Sequence, residues 1–194
     1  ILYPRSPYGV SKVFSHYMVR NYRESYGIEA YSGVLFNHES PLRGNEFVTK
    51  KITKELTKYF NDKKNILKLG NIYSKRDWGY AKEYIECMYK IVMQNKEFEF
   101  VIGTGKTHTV KDFINKCLKY LKIKYKWLGS GLNEHCIDIS NGRVFIKIDK
   151  NFYRPAEVDY LRADISKAKN ILKWSPKTNL EKLAKIMIDF DLSN

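Results

Sequence analysis

Tyr8 and Lys12 stand four residues apart in Tyr8-Gly9-Val10-Ser11-Lys12, a spacing that makes them neighbours one turn apart on a helix. A phenol beside an ammonium is a latent base. A free tyrosine titrates near 10, so at pH 7 only about one in a thousand is phenolate, and a nearby cation favours that charged form. Such a group can take a proton from a substrate hydroxyl. Spacing alone does not single the pair out, because Tyr59/Lys63 and Tyr120/Lys124 share it and chance gives about two such pairs for this composition. An exposed tyrosine beside a solvated lysine competes on equal terms. What favours the first pair is its setting: just inside a capped helix, off the apolar stripe, and ahead of an apolar strand that ends in Asn37-His38-Glu39.

The elements that must hold these residues are legible from caps and periodicity. Ser6-Pro7 opens a helix and Gly27 closes it, predicting residues 7–26. Its apolar residues Val10, Val13, Phe14, Tyr17 and Met18 recur at helical spacing as one stripe, with Tyr8 and Lys12 on the other side. Residues 30–37 read as a buried strand, a helix–strand step that suits a doubly wound sheet. Helices are expected over 45–60 and 79–94, with short strands at 66–69 and 98–102. Thr109 to Asp112 forms a capping box that starts an amphipathic helix. Val144, Ile146 and Ile148 alternate, predicting a strand with one face in solvent. Two short helices end the pattern, one over 166–174 and one opened by a capping box from Thr178 to Glu181.

The chain has 194 residues, 35 Lys+Arg and 21 Asp+Glu, for a formal charge of +14. Nucleic acid, an anionic membrane surface or a phosphate-rich small ligand would each suit that charge. Of the cations 27 are lysines scattered from end to end, with no recognition motif among them, so they read as a solvated surface rather than a nucleic-acid footprint. No apolar window is long enough for a membrane span. Cys87, Cys117 and Cys136 are odd in number with no CxxC, which argues against a disulfide framework and for a reducing, cytoplasmic compartment. The four histidines lack metal-ligand spacing, and no metal is expected. The chain opens without a Met, as a fragment whose upstream half lies elsewhere would.

Beyond these patterns, SPYGVSK resembles the YxxxK helix of the extended short-chain dehydrogenase/reductases. GVLFNHESPLRGNEFVTKKIT, LGNIYSKRDWGYAKEYIECM, FVIGTGKTHTVKDF and FYRPAEVDYLRADISKAKNILKWSPKT resemble the GDP-mannose 4,6-dehydratase family in particular. The resemblance covers nearly the whole chain and implies an α/β fold: the C-terminal part of a Rossmann-type doubly wound sheet with a smaller α/β nucleotide-sugar-binding domain. Residues 1–37 and 70–103 would belong to the Rossmann part, 38–69 to an excursion into the substrate domain, and 104–194 to that domain itself. The glycine-rich cofactor loop and the family's Thr and Glu would lie in the absent N-terminal half.

The resemblance also implies chemistry. Tyr8 would take the proton of the sugar 4-hydroxyl while hydride leaves for NADP, water would be lost from carbon 6, and the hydride would return there. Lys12 would favour the phenolate and hold the ribose hydroxyls, and His38 and Arg43 would contact NADP. Asn37, Val48, Lys51, Arg76, Arg154 and Glu157 would hold GDP-mannose. On residue types alone, Arg76 with Asp77 and Arg154 with Glu157 read as ordinary ion pairs. Three departures from the family stand out: Leu42 where a second Arg is usual, Tyr73-Ser74 for an acidic-small pair, and Tyr80 for a His. Lys50 or Lys51 could offset Leu42. A homodimer or homotetramer is implied, with the stripe of the first helix open to both uses, facing the sheet and joining a second subunit. The remaining alternatives are another extended-family 4-epimerase or dehydratase, and a non-catalytic basic binding module.

Overall fold

The computed structural model describes residues 2–95, 97–153, 158 and 160–194. Helix α1 (Pro7–Tyr26) begins where Ser6 Oγ accepts from Gly9 N at 3.0 Å and ends at Gly27, whose φ of 64° is readily adopted without a Cβ. Strand β1 (Ser32–Leu35) follows and pairs in parallel with β6 (Glu99–Ile102). Helix α3 (Ala81–Met93) and helix α5 (Ser166–Leu172) pack on this pair through Tyr84, Cys87, Ile91, Phe100, Leu172 and Trp174. That is the smaller of two cores.

The larger core joins helices to a mixed sheet. Helix α2 (Val48–Asp62), helix α4 (Val110–Tyr120) and helix α6 (Leu180–Ser193) bury Ile52, Leu56, Phe113, Ile114, Leu183 and Met187 together. Their sheet is β3 (Leu67–Leu69), β10 (Val144–Ile148), β9 (His135–Asp138) and β8 (Tyr125–Leu128), in that order. Only β3 and β10 run parallel within it. Two small pairs bridge the cores: β2 (Asn37–Glu39) beside β5 (Trp78–Tyr80), parallel, and β4 (Lys75–Arg76) beside β7 (His108–Thr109), antiparallel.

The structure corrects two expectations. Strand β10 does not turn one face to solvent: Phe145 and Ile146 are both fully buried. It lies between β3 and β9, and an irregularity between Val144 and Ile146 breaks the alternation. The cap of α6 is Asn179, whose Oδ1 accepts from Lys182 N at 2.9 Å. The Thr178 hydroxyl donates instead to Glu83 at 2.9 Å, tying the entry of α6 to α3. Of the stripe of α1, whose use was left open, Val13 and Met18 are half-buried within the chain while Val10, Phe14 and Tyr17 are exposed. The capping box at Thr109 and Asp112 is present in both directions.

Cys87, Cys117 and Cys136 are buried and unbonded to one another, and burial pushes the Cys87 thiol up to about 11 and that of Cys136 to about 12. Such thiols are inert as nucleophiles near neutrality. Among the described residues no helix is long and apolar enough to cross a membrane, and no three His, Cys, Asp or Glu gather as a metal site.

Candidate functional site

Strand β2 has only three residues, and its alternation sorts them. Successive strand side chains point to opposite faces, so Asn37 and Glu39 share one side while His38 takes the other. Asn37 and Glu39 line a cavity of about 490 Å³. His38 lies against the Tyr84 ring, 5.6 Å between centroids, with Nδ1 3.0 Å from Phe36 O. The partner strand permits this crowding because it carries Gly79, where a Cβ would fall 2.3 Å from the Tyr84 ring.

The first turn of α2 supplies the opposite wall. Val48 and Lys51, three apart and on one helical face, both line the cavity. Lys51 Nζ donates to Lys68 O at 2.7 Å and sits 3.6 Å from the centre of the Phe152 ring. Burial lowers its pKa, opposed by the charges of Glu55 and Asp149. Phe152 can come this close because residue 70 is glycine: a Cβ there would lie 2.3 Å from Phe152 O.

Two arginines complete the lining. Arg76 projects from β4 and donates through Nη1 to Lys75 O at 2.9 Å and Val158 O at 2.5 Å. The ion pair with Asp77 that residue types suggested is not formed. Fully buried Asp77 instead accepts from Thr104 N, Thr104 Oγ1, Gly105 N and Ala163 N, fastening the loop after β6 beside the cavity. Arg43 sits in the turn before α2, its guanidinium 3.5 Å from the Phe47 ring centre and its Nε 3.3 Å from Glu39 Oε2.

One cavity is lined by Asn37, Val48, Lys51 and Arg76, which the resemblance assigns to substrate, and also by Arg43, which it assigns to the cofactor. Tyr8 and Lys12 are not among the lining residues. They stand on α1, with Tyr8 71% exposed and Lys12 Nζ 5.1 Å from its ring centre. Arg154 and Glu157 lie outside the described residues. Glu39, Ser74 and Phe152 line the cavity without having been singled out, and for Glu39 a three-residue strand is too short to carry a period that would have found it.

The three departures find partners of their own. Leu42 is 85% exposed and points away from the protein. Lys50 does not offset it, being fixed to Asp191 at 2.5 Å and Pro41 O at 2.9 Å. The Tyr73 hydroxyl donates to Glu134, which also binds Lys111 Nζ at 2.6 Å. Tyr80 packs half-buried against the larger core. A second cavity, about 430 Å³, shares Trp78 but is lined by Lys106, His108, Lys116 and Lys177 and holds none of the expected site residues.

The family model described as GDP-mannose 4,6 dehydratase matches residues 1–187. The chain belongs to the GDP-mannose 4,6-dehydratase family. A dehydratase of that name from Dictyostelium discoideum is 46% identical over 190 residues, covering 98% of this chain and 53% of the relative. The one from Homo sapiens is 40% identical over 190 residues, covering 98% and 51%. The chain therefore spans about half the length of the dehydratases it matches. Among solved structures, RMD from Pseudomonas aeruginosa complexed with NADPH superposes with a TM-score of 0.81 at 15% identity, over all of this chain and 58% of that one. A dTDP-glucose 4,6-dehydratase from Bacillus anthracis in complex with NAD gives 0.78 at 16%, over all of this chain and 54% of that one. These likenesses show that the chain shares the α/β fold of those two structures.

Proposed function

We propose that the protein carrying this chain is a GDP-mannose 4,6-dehydratase, a hydro-lyase that converts GDP-mannose to GDP-4-dehydro-6-deoxy-mannose on the way to GDP-fucose. It would work with NADP in the cytoplasm, as a homodimer or homotetramer. The observation that carries the reading is the single cavity that gathers Asn37, Val48, Lys51 and Arg76 in a chain matched along residues 1–187 by the dehydratase family.

The cavity suits a nucleoside diphosphate sugar. Arg76 and Lys51 offer positive charge to a diphosphate, and Asn37 offers an amide to hydroxyls or a base. The donors for a phosphate-bearing dinucleotide also fit: the Lys12 ammonium lies over an exposed Tyr8, and His38 has a second ring nitrogen beyond the one facing Phe36 O. When bound, the nicotinamide supplies a reversible acceptor for hydride. Tyr8, as the phenolate that the Lys12 charge favours, takes the proton from the sugar 4-hydroxyl as that carbon is oxidised and becomes the neutral phenol. Val48 and Asn37 keep the sugar nucleotide in place. Loss of one water from the sugar, with the hydride restored to it, leaves the cofactor unchanged.

Mass spectrometry of GDP-mannose incubated with the complete protein and a trace of NADP tests this directly. The expected result is a product lighter by one water with no net NADPH. An unchanged mass overturns the dehydratase, and chromatography for a new epimer would then identify an isomerase.

A further inference from the structure

Glu39 has no part in the reading above, yet its carboxylate is 2% exposed and belongs to a residue lining the cavity. A buried carboxylate needs partners. The Thr49 hydroxyl donates to Oε2, and Arg43 Nε lies 3.3 Å from the same oxygen. Arg43 is therefore held from two sides, by this charge and by the Phe47 ring beneath its guanidinium. Among the described residues its side chain makes no hydrogen bond, and Nε is a buried donor without a hydrogen-bond partner. Among the described residues two other buried side-chain atoms share that condition, and one of them, Ser74 Oγ, also belongs to a residue of this cavity. Folded proteins leave few such groups, and two of them on residues of one cavity mark it as a polar site whose hydrogen bonding the protein alone does not complete.

We propose that Glu39 is a positioning residue for anion recognition: with Phe47 it holds the Arg43 guanidinium at the cavity wall, so that the uncommitted N–H donors take a phosphoryl group of the bound nucleotide. The inference rests on the functional reading only for which nucleotide that is. The phosphoryl group belongs either to a nucleoside diphosphate sugar or to the dinucleotide cofactor. The guanidinium is suited to both because its fork matches two phosphate oxygens.

Titration calorimetry of the complete protein with GDP and, separately, with NADP tests the proposal. Glu39→Gln keeps an acceptor for Thr49 and removes the charge that faces Arg43. It should weaken one ligand about tenfold while the melting temperature stays level or rises, since a buried charge has been replaced by a neutral isostere. Weaker GDP binding assigns the phosphoryl group to the nucleotide sugar; weaker NADP binding assigns it to the cofactor. A residue with only a structural role would instead lower the melting temperature and leave the affinity of the folded protein unchanged.

The double variant locates the effect. In an Arg43→Met background Glu39→Gln should change nothing further, whereas additive losses overturn action through Arg43. Phe47→Leu removes the other support of Arg43 at a partly exposed position and should weaken the same ligand. If Glu39→Gln does not fold, Phe47→Leu decides, and unchanged affinity there overturns the proposal. A wild-type protein that binds neither GDP nor NADP overturns the functional reading and this inference with it. Wild-type turnover of GDP-mannose with unaltered ligand affinity in Glu39→Gln overturns this inference alone.

Discussion

At the scale of single residues, Tyr8 and Glu39 make opposite demands on their surroundings. Tyr8 is exposed beside Lys12, open to a ligand's hydroxyl, and the role of base proposed for it gives a direct expectation. Tyr8→Phe in the complete protein should lower turnover about 10²- to 10⁴-fold while GDP-mannose binds as before; a matching loss of affinity, read by calorimetry, would remove the base assignment. Glu39 is buried, and that burial raises its pKa above the ordinary 4.5 against the pull of Thr49 and Arg43. Because the folded protein holds this proton more tightly than the unfolded chain, ionisation destabilises the fold. The penalty is absent below about pH 4.5 and sets in as pH rises through the native value. The melting temperature of Glu39→Gln relative to wild type should therefore climb with pH across that window, and a flat difference would count against it. Asn37-His38-Glu39 was legible as a polar cluster in the sequence. Its division into two cavity residues and one facing Tyr84 needed the strand pairing, which three residues are too few to announce.

At the scale of elements, what the sequence revealed tracks how local the cause is. Helix α1 matches its expected limits because both its ends are set by neighbours, Ser6 with Pro7 and then Gly27. The Thr109 capping box is equally local, and Thr109→Ala should cost about 1 kcal/mol, seen as a lower melting temperature with no change in GDP affinity. Strands β2, β4, β5 and β7 have only two or three residues each, too short for any period, and β8 and β9 are defined by pairing partners. The cap of α6 was misplaced by one residue because Thr178 and Asn179 are both good caps, and the decision fell to Glu83, 95 residues away in sequence. Gly70 shows the same non-local logic acting on the site. A Cβ there would strike Phe152 O at 2.3 Å, so Gly70→Ala must displace the Phe152 ring from Lys51. The expected outcome is a loss of about 1–3 kcal/mol in stability, by denaturant titration, together with weaker GDP binding. Full affinity in a destabilised variant would show that Phe152 does not matter to the cavity.

At the scale of the whole molecule, the two cores are closed on themselves but two outer surfaces are not. Helix α1 shows Val10, Phe14 and Tyr17 to solvent, and α3 shows Ile85, Tyr89, Val92 and Met93. Strand β1 pairs with β6 along one edge only. The periodicity of α1 was plain in the sequence, but whether its stripe faced this chain's own sheet depended on tertiary packing that no local pattern encodes. Apolar helix faces beside an unpaired strand edge favour association or capture of apolar dyes. The net charge of +14 opposes association through mutual repulsion at low ionic strength. The balance predicts that the 194-residue chain alone binds anilinonaphthalene sulfonate and self-associates more strongly as salt is raised, as followed by sedimentation velocity. Phe14→Glu with Tyr17→Glu, both exposed, should reduce dye binding and shift the distribution toward monomer without lowering the melting temperature. A monomeric chain at high salt that leaves the dye dark would mean that the exposed rows are too dispersed to act as a surface.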